Sequence, residues 1–297
     1  MNLRNLQRHW DAFGHQDPLW AILTDPARKG GKWDLEEFFQ LGELEVAEVL
    51  QQAANQGIAI HRGRALDFGC GVGRLTQALG RRFEESWGVD IAPSMIRLAR
   101  LHNRHAERCR YELNPAPDLR LFADHTFDFI YSSLTLQHMR PRYAKRYLKE
   151  FLRVLSPGGC LVFRLPSELR RPHSPFQRVA RCLYWWYRDG MAALAKGFNL
   201  RMEMYGIART QVLELIACRG GETVAVLEDH SSGPAWYSFL YFVRKPAAEH
   251  CESSRAQVEP QAWKGAMAAP LGQPNRRGDG VPFIQTNTLG TTSSWLP

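Results

Sequence analysis

The chain has 297 residues and a net charge of +8, with 44% hydrophobic and 23% charged residues. These values are typical of a folded protein with one large domain and accessory pieces, or at most two domains. They exclude a chain too polar to bury a core, and no apolar run approaches the roughly 20 residues of a membrane-spanning helix.

The cysteines and the first residues indicate a compartment. None of the six cysteines forms a C-x-x-C pair, so the sequence predicts neither a zinc site nor a disulfide framework, and we expect no bound metal. Free thiols in a reducing environment are the simplest interpretation. The opening residues MNLRNLQRHW lack the apolar stretch of a signal peptide. We therefore expect a cytoplasmic protein.

Residues 1–57 are predicted to form a helical segment ahead of the core. Asp34 is well placed to cap a helix that runs from residue 35 to about 54. The part 17–39 is rich in aromatic residues and interrupted by Pro and Gly. Two compatible interpretations stay open. This part, with its turn at 29–32, is a mobile cover that excludes water from the site, or its aromatic residues anchor an accessory helix layer. The tryptophans concerned are Trp10, Trp20 and Trp33.

Residues 64–90 carry the strongest functional signal. The stretch reads RALDFGCGVGRLTQALGRRFEESWGVD: a strand with Asp67, three glycines at alternate positions, an amphipathic helix, and a second strand that ends on Asp90. Glycines let a backbone approach a ligand closely. A carboxylate at the end of the second strand can accept hydrogen bonds from ribose hydroxyls. This β-α-β unit predicts a site for an adenosine-containing cofactor.

The glycine spacing argues against a dinucleotide. The G-x-G-x-x-G fingerprint requires a third glycine that allows close packing of the helix on the strand. Counted from Gly69 that position is Arg74, and counted from Gly71 it is Thr76. An NAD(P)-binding oxidoreductase is therefore the less favoured alternative.

The motif D-x-G-C-G-x-G resembles instead the first motif of class I S-adenosylmethionine-dependent methyltransferases, and the order of later motifs matches that family from about residue 66 to 165. The resemblance implies that the glycine loop passes the methionine part of S-adenosyl-L-methionine and that Asp90 binds the ribose. It also implies that Ile91 and Met95 flank the adenine and that Asn114 lies beside its amino group. The full set of cofactor-binding residues expected from it is Asp67, Gly69, Cys70, Gly71, Gly73, Asp90, Ile91, Met95, Asn114 and Ser132.

The fold that the resemblance implies is an α/β, Rossmann-like, doubly wound sheet of seven strands whose last strand is antiparallel. Residues 126–133 are predicted as the fourth strand, and 153–163 as a helix end, a Pro-Gly-Gly turn and the fifth strand. A helix is predicted at 210–218 and the last two strands at 222–229 and 236–245. The core therefore spans 58–245.

Methyl transfer leaves little signature of a catalytic residue. The leaving group is good, so alignment of the nucleophile supplies most of the acceleration. His138 follows the fourth strand, at the sheet edge where ligands of doubly wound folds bind, and is the candidate general base. The alternative is that His138 stabilises the following turn. A protein that binds the cofactor without catalysis also stays open.

The acceptor side is less defined. Residues 139–188 contain twelve Lys or Arg and two acids. Part of this positive charge lies in the helix predicted at 141–152, where we interpret it as a solvated basic face. An insertion at about 166–196 is predicted to cover the substrate, with contact to a membrane surface as the alternative. Arginines there could pair with an anionic substrate group; they are Arg170, Arg171, Arg178 and Arg181.

We expect a small-molecule, lipid or glycan acceptor. Nucleic acid is disfavoured because the Asn-Pro motif at 114–117 follows the wrong strand and lacks the aromatic residue that would stack a flipped base. Residues 246–297 change to a composition of small and polar residues and are predicted to be a disordered tail. The sequence does not define the oligomeric state.

Overall fold

The computed structural model describes residues 2–170 and 202–247. The α-helices are α1 (Leu3–Gln16), α2 (Pro18–Ile22), α3 (Leu35–Asn55), α4 (Arg74–Gly80), α5 (Pro93–Leu101), α6 (Pro141–Val154) and α7 (Arg209–Ala217). The strands are β1 (Arg64–Phe68), β2 (Glu85–Asp90), β3 (Cys109–Leu113), β4 (Phe127–Ser132), β5 (Leu155–Leu169), β6 (Glu222–Asp229) and β7 (Trp236–Arg244). Short 3₁₀ turns occupy Pro26–Arg28 and Leu136–His138. The predicted tail beyond 247 and the predicted insertion from 171 to 196 lie outside the described residues.

The seven strands form one sheet in the order β3-β2-β1-β4-β5-β7-β6. Strands β1 to β5 pair in parallel, and β7 runs antiparallel between β5 and β6. The predicted fold class, including the position and direction of the last strand, is confirmed. The strand order reverses between β1 and β4, so a ligand crevice is expected outside the carboxyl ends of these strands.

Alternating side chains of the central strands enter two separate cores. On one face, Phe129 and Tyr131 of β4 pack with α3 and α4 residues such as Val49. On the other face, Ile130 packs with residues of α6 and α7. These side chains are fully buried, and each large apolar side chain contributes roughly 1.5–3 kcal/mol relative to an exposed one. Burial on both faces explains why β4 reads as the nearly continuous apolar run FDFIYS.

Strand β5 is longer than the sequence predicts. The Pro-Gly-Gly turn lies near its start, where Gly158 has a φ of +78° and the register with β4 shifts. Beyond residue 163 the strand continues along β7 as far as the pair Leu169 and Trp236. Residues 166–169, predicted to begin the insertion, therefore belong to the sheet.

The N-terminal segment contains three α-helices: α1 and α2 lie over the carboxyl edge of the sheet, and α3 packs with α4 on one face. Asp34 caps α3, as predicted, by accepting a hydrogen bond from the Glu37 N–H at 2.8 Å. Helix α1 is fixed to the start of α5 because Asp11 accepts from the Ser94 N–H at 2.8 Å. A Cβ on Gly14 would lie 2.1 Å from Ser94 Oγ, so only glycine allows this approach of the two helices.

In the described part of the chain, no helix is both long enough and apolar enough to cross a membrane.

Candidate functional site

A cavity opens at the carboxyl edge of β1, β2 and β4. The glycine loop after β1, the end of β2 and the turn after β4 form its floor, and α1 and α2 cover it. Its lining residues are Leu3, Leu6, Trp10, Ala21, Ile22, Phe68, Gly69, Gly71, Val89, Asp90, Ile91, Met95, Asn114, Ser133, Leu134, Thr135, His138, Met139 and Tyr147.

The glycine loop adopts a backbone that side chains would disrupt. Gly69, Gly71 and Gly73 have φ angles of +81°, +52° and +88°. A Cβ at Gly69 would lie 2.1 Å from Thr135 Oγ1, and one at Gly71 would lie 2.5 Å from a methyl carbon of Ile22. The alternate glycines are therefore required both by conformation and by close neighbours on two sides.

Asp90 fixes the loop and lines the cavity. Its Oδ2 accepts from the Gly71 N–H at 2.9 Å, and its Oδ1 accepts from the Ala92 N–H at 2.8 Å. Burial raises the pKa of Asp90 above its usual value, and the bonds from Ala92 and Gly71 oppose that rise. A carboxylate has about four acceptor positions. Asp90 therefore keeps acceptor capacity for the hydroxyls of a ligand.

Three residues predicted to lie around the adenine also line the cavity: Ile91, Met95 and Asn114. The Asn114 amide closes the turn after β3, since its Nδ2 donates to the Asp118 carbonyl at 2.8 Å and its Oδ1 lies 3.3 Å from the Ala116 N–H. The turn holds this residue at the cavity wall.

Four predicted site residues are not among those that line the cavity: Asp67, Cys70, Gly73 and Ser132. Asp67 lies behind the loop, where its Oδ2 accepts from Thr76 Oγ1 at 2.7 Å and its Oδ1 has no hydrogen-bond partner among the described residues. Burial raises the pKa of Asp67 to about 7, against the Thr76 bond. The Ser132 hydroxyl donates to the Phe68 carbonyl at 3.1 Å and ties β4 to β1.

Helix α1 contributes cavity residues that the sequence reasoning missed. Leu3, Leu6 and Trp10 lie at helical spacing on one face and reach the cavity. Gln7 holds this helix beside the site because its Nε2 donates to the Ile91 carbonyl at 3.0 Å. The apolar spacing was a readable signal for an amphipathic helix, but nothing in it indicated which surface the helix covers.

The segment 17–39 contacts the cavity through Ala21 and Ile22. The turn after α2 is closed by Asp17, whose Oδ2 accepts from the backbone of Gly30 at 2.6 Å and Gly31 at 3.1 Å. Trp33 donates to the Leu23 carbonyl at 3.1 Å and packs against Phe38. These tryptophan contacts are those expected of packing anchors.

His138 lies on the cavity wall beside Trp10, with ring centroids 5.2 Å apart. Its Nδ1 is 2.9 Å from the Glu203 carbonyl oxygen. A carbonyl can only accept, so Nδ1 carries the proton of the neutral ring and Nε2 is the basic atom. Burial lowers the pKa of His138 to about 4, although the Glu203 bond opposes that change. The ring is therefore neutral near pH 7.

A buried ionic cluster supports the floor of the cavity. Glu45 of α3 accepts from Arg74 Nη2 at 2.7 Å, from the Tyr131 hydroxyl at 2.8 Å and from the Ser133 hydroxyl at 2.7 Å. Burial alone would raise the pKa of Glu45, but Arg74 and Arg164 lower it to about 2. The cluster joins the N-terminal segment to the glycine loop and to the turn after β4. No local sequence pattern indicates this cluster, because its members lie on separate elements that meet only in the folded chain.

Comparison with known proteins agrees with this geometry. Residues 66–163 match the family described as a methyltransferase domain. This range begins in β1, contains the glycine loop and Asp90, and ends in β5.

Two curated relatives are similar to part of the chain. The chain is 28% identical over 170 residues to a ubiquinone biosynthesis O-methyltransferase of Xanthomonas campestris, covering 57% of this chain and 59% of the relative. It is 29% identical over 157 residues to a trans-aconitate 2-methyltransferase of Methylobacterium nodulans, covering 50% of this chain and 55% of the relative. The match thus spans less than two thirds of the length of these relatives.

A solved structure of magnesium protoporphyrin IX methyltransferase from Synechocystis, with S-adenosylhomocysteine bound, has the same fold. Its TM-score is 0.54 at 14% identity, over 82% of this chain and 99% of that one. Residues 66–163 of this chain are therefore similar to a methyltransferase domain, and its sheet has the fold of this solved methyltransferase.

Proposed function

We propose that this protein transfers a methyl group from S-adenosyl-L-methionine to a small, largely apolar acceptor. The observation that carries the proposal is that the glycine loop, Asp90 and His138 all line one cavity, together with residues of α1. A cytoplasmic location is part of the proposal. It is supported by free thiols at Cys70, Cys109, Cys160 and Cys218.

The residues of the cavity fit the cofactor. Asp90 keeps acceptor capacity for the ribose hydroxyls, and Ile91 and Met95 supply apolar surface for the adenine. Gly69 and Gly71 border the same cavity and leave room for the methionine part. Asp67 acts from behind the loop by holding Thr76.

The bound cofactor supplies a methyl group on a sulfonium with a good leaving group. The protein has to hold the acceptor in line and exclude water, which the apolar wall formed by Leu6, Trp10 and Met139 can do. To receive a proton from the acceptor atom, His138 would have to exchange the contact between its Nε2 and the Gln137 amide nitrogen, 3.3 Å away, for one with the acceptor. An oxygen or nitrogen becomes much more acidic as it takes the methyl group, so a buried histidine with a lowered pKa is basic enough late in the reaction.

The charge of the cavity favours a neutral acceptor over a polyanion. Across 2–170 and 202–247, no Lys or Arg lines the cavity, and Asp90 is its one acid. Arg170, predicted to pair with an anionic substrate, instead donates to Glu228 at 2.6 Å and lies over the Tyr237 ring. The other three predicted arginines lie outside the described residues. The apolar wall accordingly suits an aromatic or lipid-like acceptor better than a carboxylate-rich one.

Two measurements test the proposal. In titration calorimetry we expect S-adenosylmethionine and S-adenosylhomocysteine to bind and NADH not to bind. With methyl-labelled cofactor, label should then pass into the apolar fraction of a small-molecule extract, and Asp90→Ala should abolish this transfer. Tight NADH binding would overturn the cofactor assignment. Cofactor binding with no label transferred to any fraction would identify a non-catalytic binding protein.

A further inference from the structure

Asp67 is a buried carboxylate without a cationic partner, directly behind the glycine loop. It lies near the end of β1, two residues before Gly69. Its Oδ2 accepts from Thr76 Oγ1 at 2.7 Å, and its Oδ1 has no hydrogen-bond partner within the part of the chain that the structure describes. Arg74 attracts Asp67, but its guanidinium is bonded to Glu45 at 2.7 Å. No described Lys or Arg forms an ion pair with Asp67, so a positive charge from a ligand would find this carboxylate unpaired.

A second carboxylate lies on the cavity side of the same loop. Asp90 accepts only from backbone N–H groups, those of Gly71 at 2.9 Å and Ala92 at 2.8 Å, and it lines the cavity. The charge of Asp90 disfavours ionisation of Asp67. The two carboxylates therefore act on each other across the loop, and a change in the charge of Asp67 is felt at the cavity wall.

The titratable groups around Asp67 leave its charge uncompensated. Burial is the largest influence and raises the pKa of Asp67 to about 7; Arg74 opposes the rise, whereas Glu45 and Asp90 add to it. The neighbouring thiol and phenol groups, on the loop, β3 and β4, have pKa values raised by burial and are neutral near pH 7; they are Cys70, Tyr111 and Tyr131. Near neutral pH the empty site therefore contains Asp67 in both its ionised and its neutral form.

The two forms of the proposed cofactor differ by one charge. S-adenosyl-L-methionine has a sulfonium, whereas the S-adenosylhomocysteine left after transfer has a neutral thioether. An opposite charge nearby favours the ionised form of a carboxyl and lowers its pKa by roughly 1–3 units. Across the described residues no Lys or Arg lines the cavity, so the sulfonium does not compete there with a cation of the protein.

We infer that Asp67 determines the preference of the site for the sulfonium form of the cofactor over the thioether form, because it ionises when the sulfonium binds and takes up a proton again after the methyl group has left. In the balanced step, the bond from sulfur to the methyl carbon breaks, its electron pair stays on sulfur, and the methyl carbon bonds to the acceptor atom. A proton from water then returns to Asp67. Asp67 acts by its charge from behind the loop and is not a catalytic residue. The inference rests on the proposed cofactor.

This coupling gives binding a pH dependence of definite sign. The bound sulfonium lowers the pKa of Asp67, so binding releases protons at pH values between the free and the bound pKa, and the affinity for S-adenosylmethionine rises with pH across that range. With a shift of about one unit from the free pKa of about 7, the release should exceed that for S-adenosylhomocysteine by up to about half a proton near pH 6.5. The ratio of the two affinities should rise by up to about tenfold between about pH 5 and pH 8.

Titration calorimetry of the full chain in buffers of different ionisation enthalpy counts the protons released with each form of the cofactor. Asp67→Asn keeps an oxygen that can accept from Thr76 but cannot ionise, so the excess release should disappear and the affinity ratio should no longer vary with pH. Asp128→Asn is the matched control. It removes a carboxylate at the opposite edge of the sheet, where Asp128 accepts from the Arg64 N–H at 2.8 Å, and should leave the excess unchanged.

Carbon NMR of the aspartate carboxyl groups gives a second readout that needs no variant to bind the cofactor. In the unmodified protein, a carboxyl that titrates near pH 7 should move to lower pH with S-adenosylmethionine and less with S-adenosylhomocysteine. Binding of both forms with equal proton release, or the same excess in folded Asp67→Asn, would overturn the inference and leave the proposed function intact. Binding of neither form would overturn the proposed function, and the inference with it.

Discussion

The backbone N–H of Gly71 donates to the Asp90 carboxylate at 2.9 Å, and this bond joins the two halves of the cofactor motif. The glycine loop and the acid at the end of β2 are 19 residues apart in sequence, yet each positions the other. A change at Asp90 therefore alters both a ligand contact and the loop that borders the ligand.

Asp90→Ala should weaken binding of S-adenosylhomocysteine by about 20-fold or more. Hydrogen bonds to a charged acceptor contribute roughly 1.5–3 kcal/mol each, and every 1.4 kcal/mol is a factor of about ten in affinity. Titration calorimetry measures the loss, and circular dichroism checks the fold. Asp124→Ala, which removes an exposed carboxylate of a surface ion pair, is the control and should bind normally. Unchanged affinity in folded Asp90→Ala would contradict the assignment of the ribose site.

This part of the site could be predicted from the sequence because its signals are local. The alternate glycines and the acid after the second strand are short motifs, and the fold of the sheet is what the resemblance to methyltransferases implies. Even here, Asp67 belongs to the motif but lies behind the loop, because a side chain in β1 points to one face or the other by alternation. Which of the two faces of β1 lies toward the cavity depends on how the whole sheet packs.

The covering elements could not be predicted in the same way. The amphipathic pattern of α1 indicates a helix with an apolar face, but the docking of that face on α5 depends on the close approach of Gly14 to Ser94. These residues are 80 positions apart. The hydrogen bonds from Ser232 to Gln137 and from Gln137 to His138 could not be predicted for the same reason. They join the β6–β7 hairpin to the turn after β4, and these elements meet only in the folded sheet.

Gly69→Ala should reduce both stability and cofactor affinity. The position requires a φ of +81°, and the added Cβ would lie 2.1 Å from Thr135 Oγ1. Gly57→Ala is the matched control, because its φ is +71° and no atom lies within 4 Å of the added Cβ. The control should lose only about 1–2 kcal/mol of stability, because alanine is strained in a left-handed conformation. Gly69→Ala should lose more than this in urea unfolding. Equal losses in the two variants would show that the Thr135 contact is unimportant.

Glu45→Gln should destabilise the fold by about 3–5 kcal/mol, since it leaves the buried Arg74 without its counter-ion. The folded-state pKa of Glu45 is lowered to about 2, below its unfolded value. Its contribution is therefore complete above the unfolded pKa and is lost as the pH falls toward 2. Urea unfolding from pH 7 to pH 3 should show a shallower acid decline in Glu45→Gln. Glu37→Gln breaks a half-exposed pair with Arg28 and should cost at most about 1 kcal/mol; a comparable loss there would contradict a special role for Glu45.

A chain that ends at Lys245 should keep its melting temperature and its cofactor affinity. This residue closes the end of the sheet, because its Nζ donates to the Leu152 and Leu155 carbonyls at 2.7 Å each. Lys245→Ala in the shortened chain should lower the melting temperature by about 2–4 °C for each kcal/mol lost. A fall of several degrees on shortening alone would place the domain boundary further along the chain.

Hydrogen exchange with and without S-adenosylhomocysteine tests whether the N-terminal helices close over the cofactor. Leu6, Trp10 and Ile22 line the cavity, and Gln7 binds the Ile91 carbonyl next to the expected adenine site. Occupation of the cavity should therefore slow exchange in residues 3–22 as well as in 69–73, because opening of α1 would then break contacts with the ligand. Helix α7 lies on a face of the sheet away from the cavity lining and serves as the internal control. Gly14→Ala gives a further test of whether α1 closes over the ligand. The added methyl group pushes α1 away from Ser94, so residues 3–22 should no longer be protected from exchange by the ligand, whereas residues 69–73 should still be protected. Protection confined to the glycine loop in the unmodified protein would show that α1 is a fixed wall, and water would then have to be excluded by another segment.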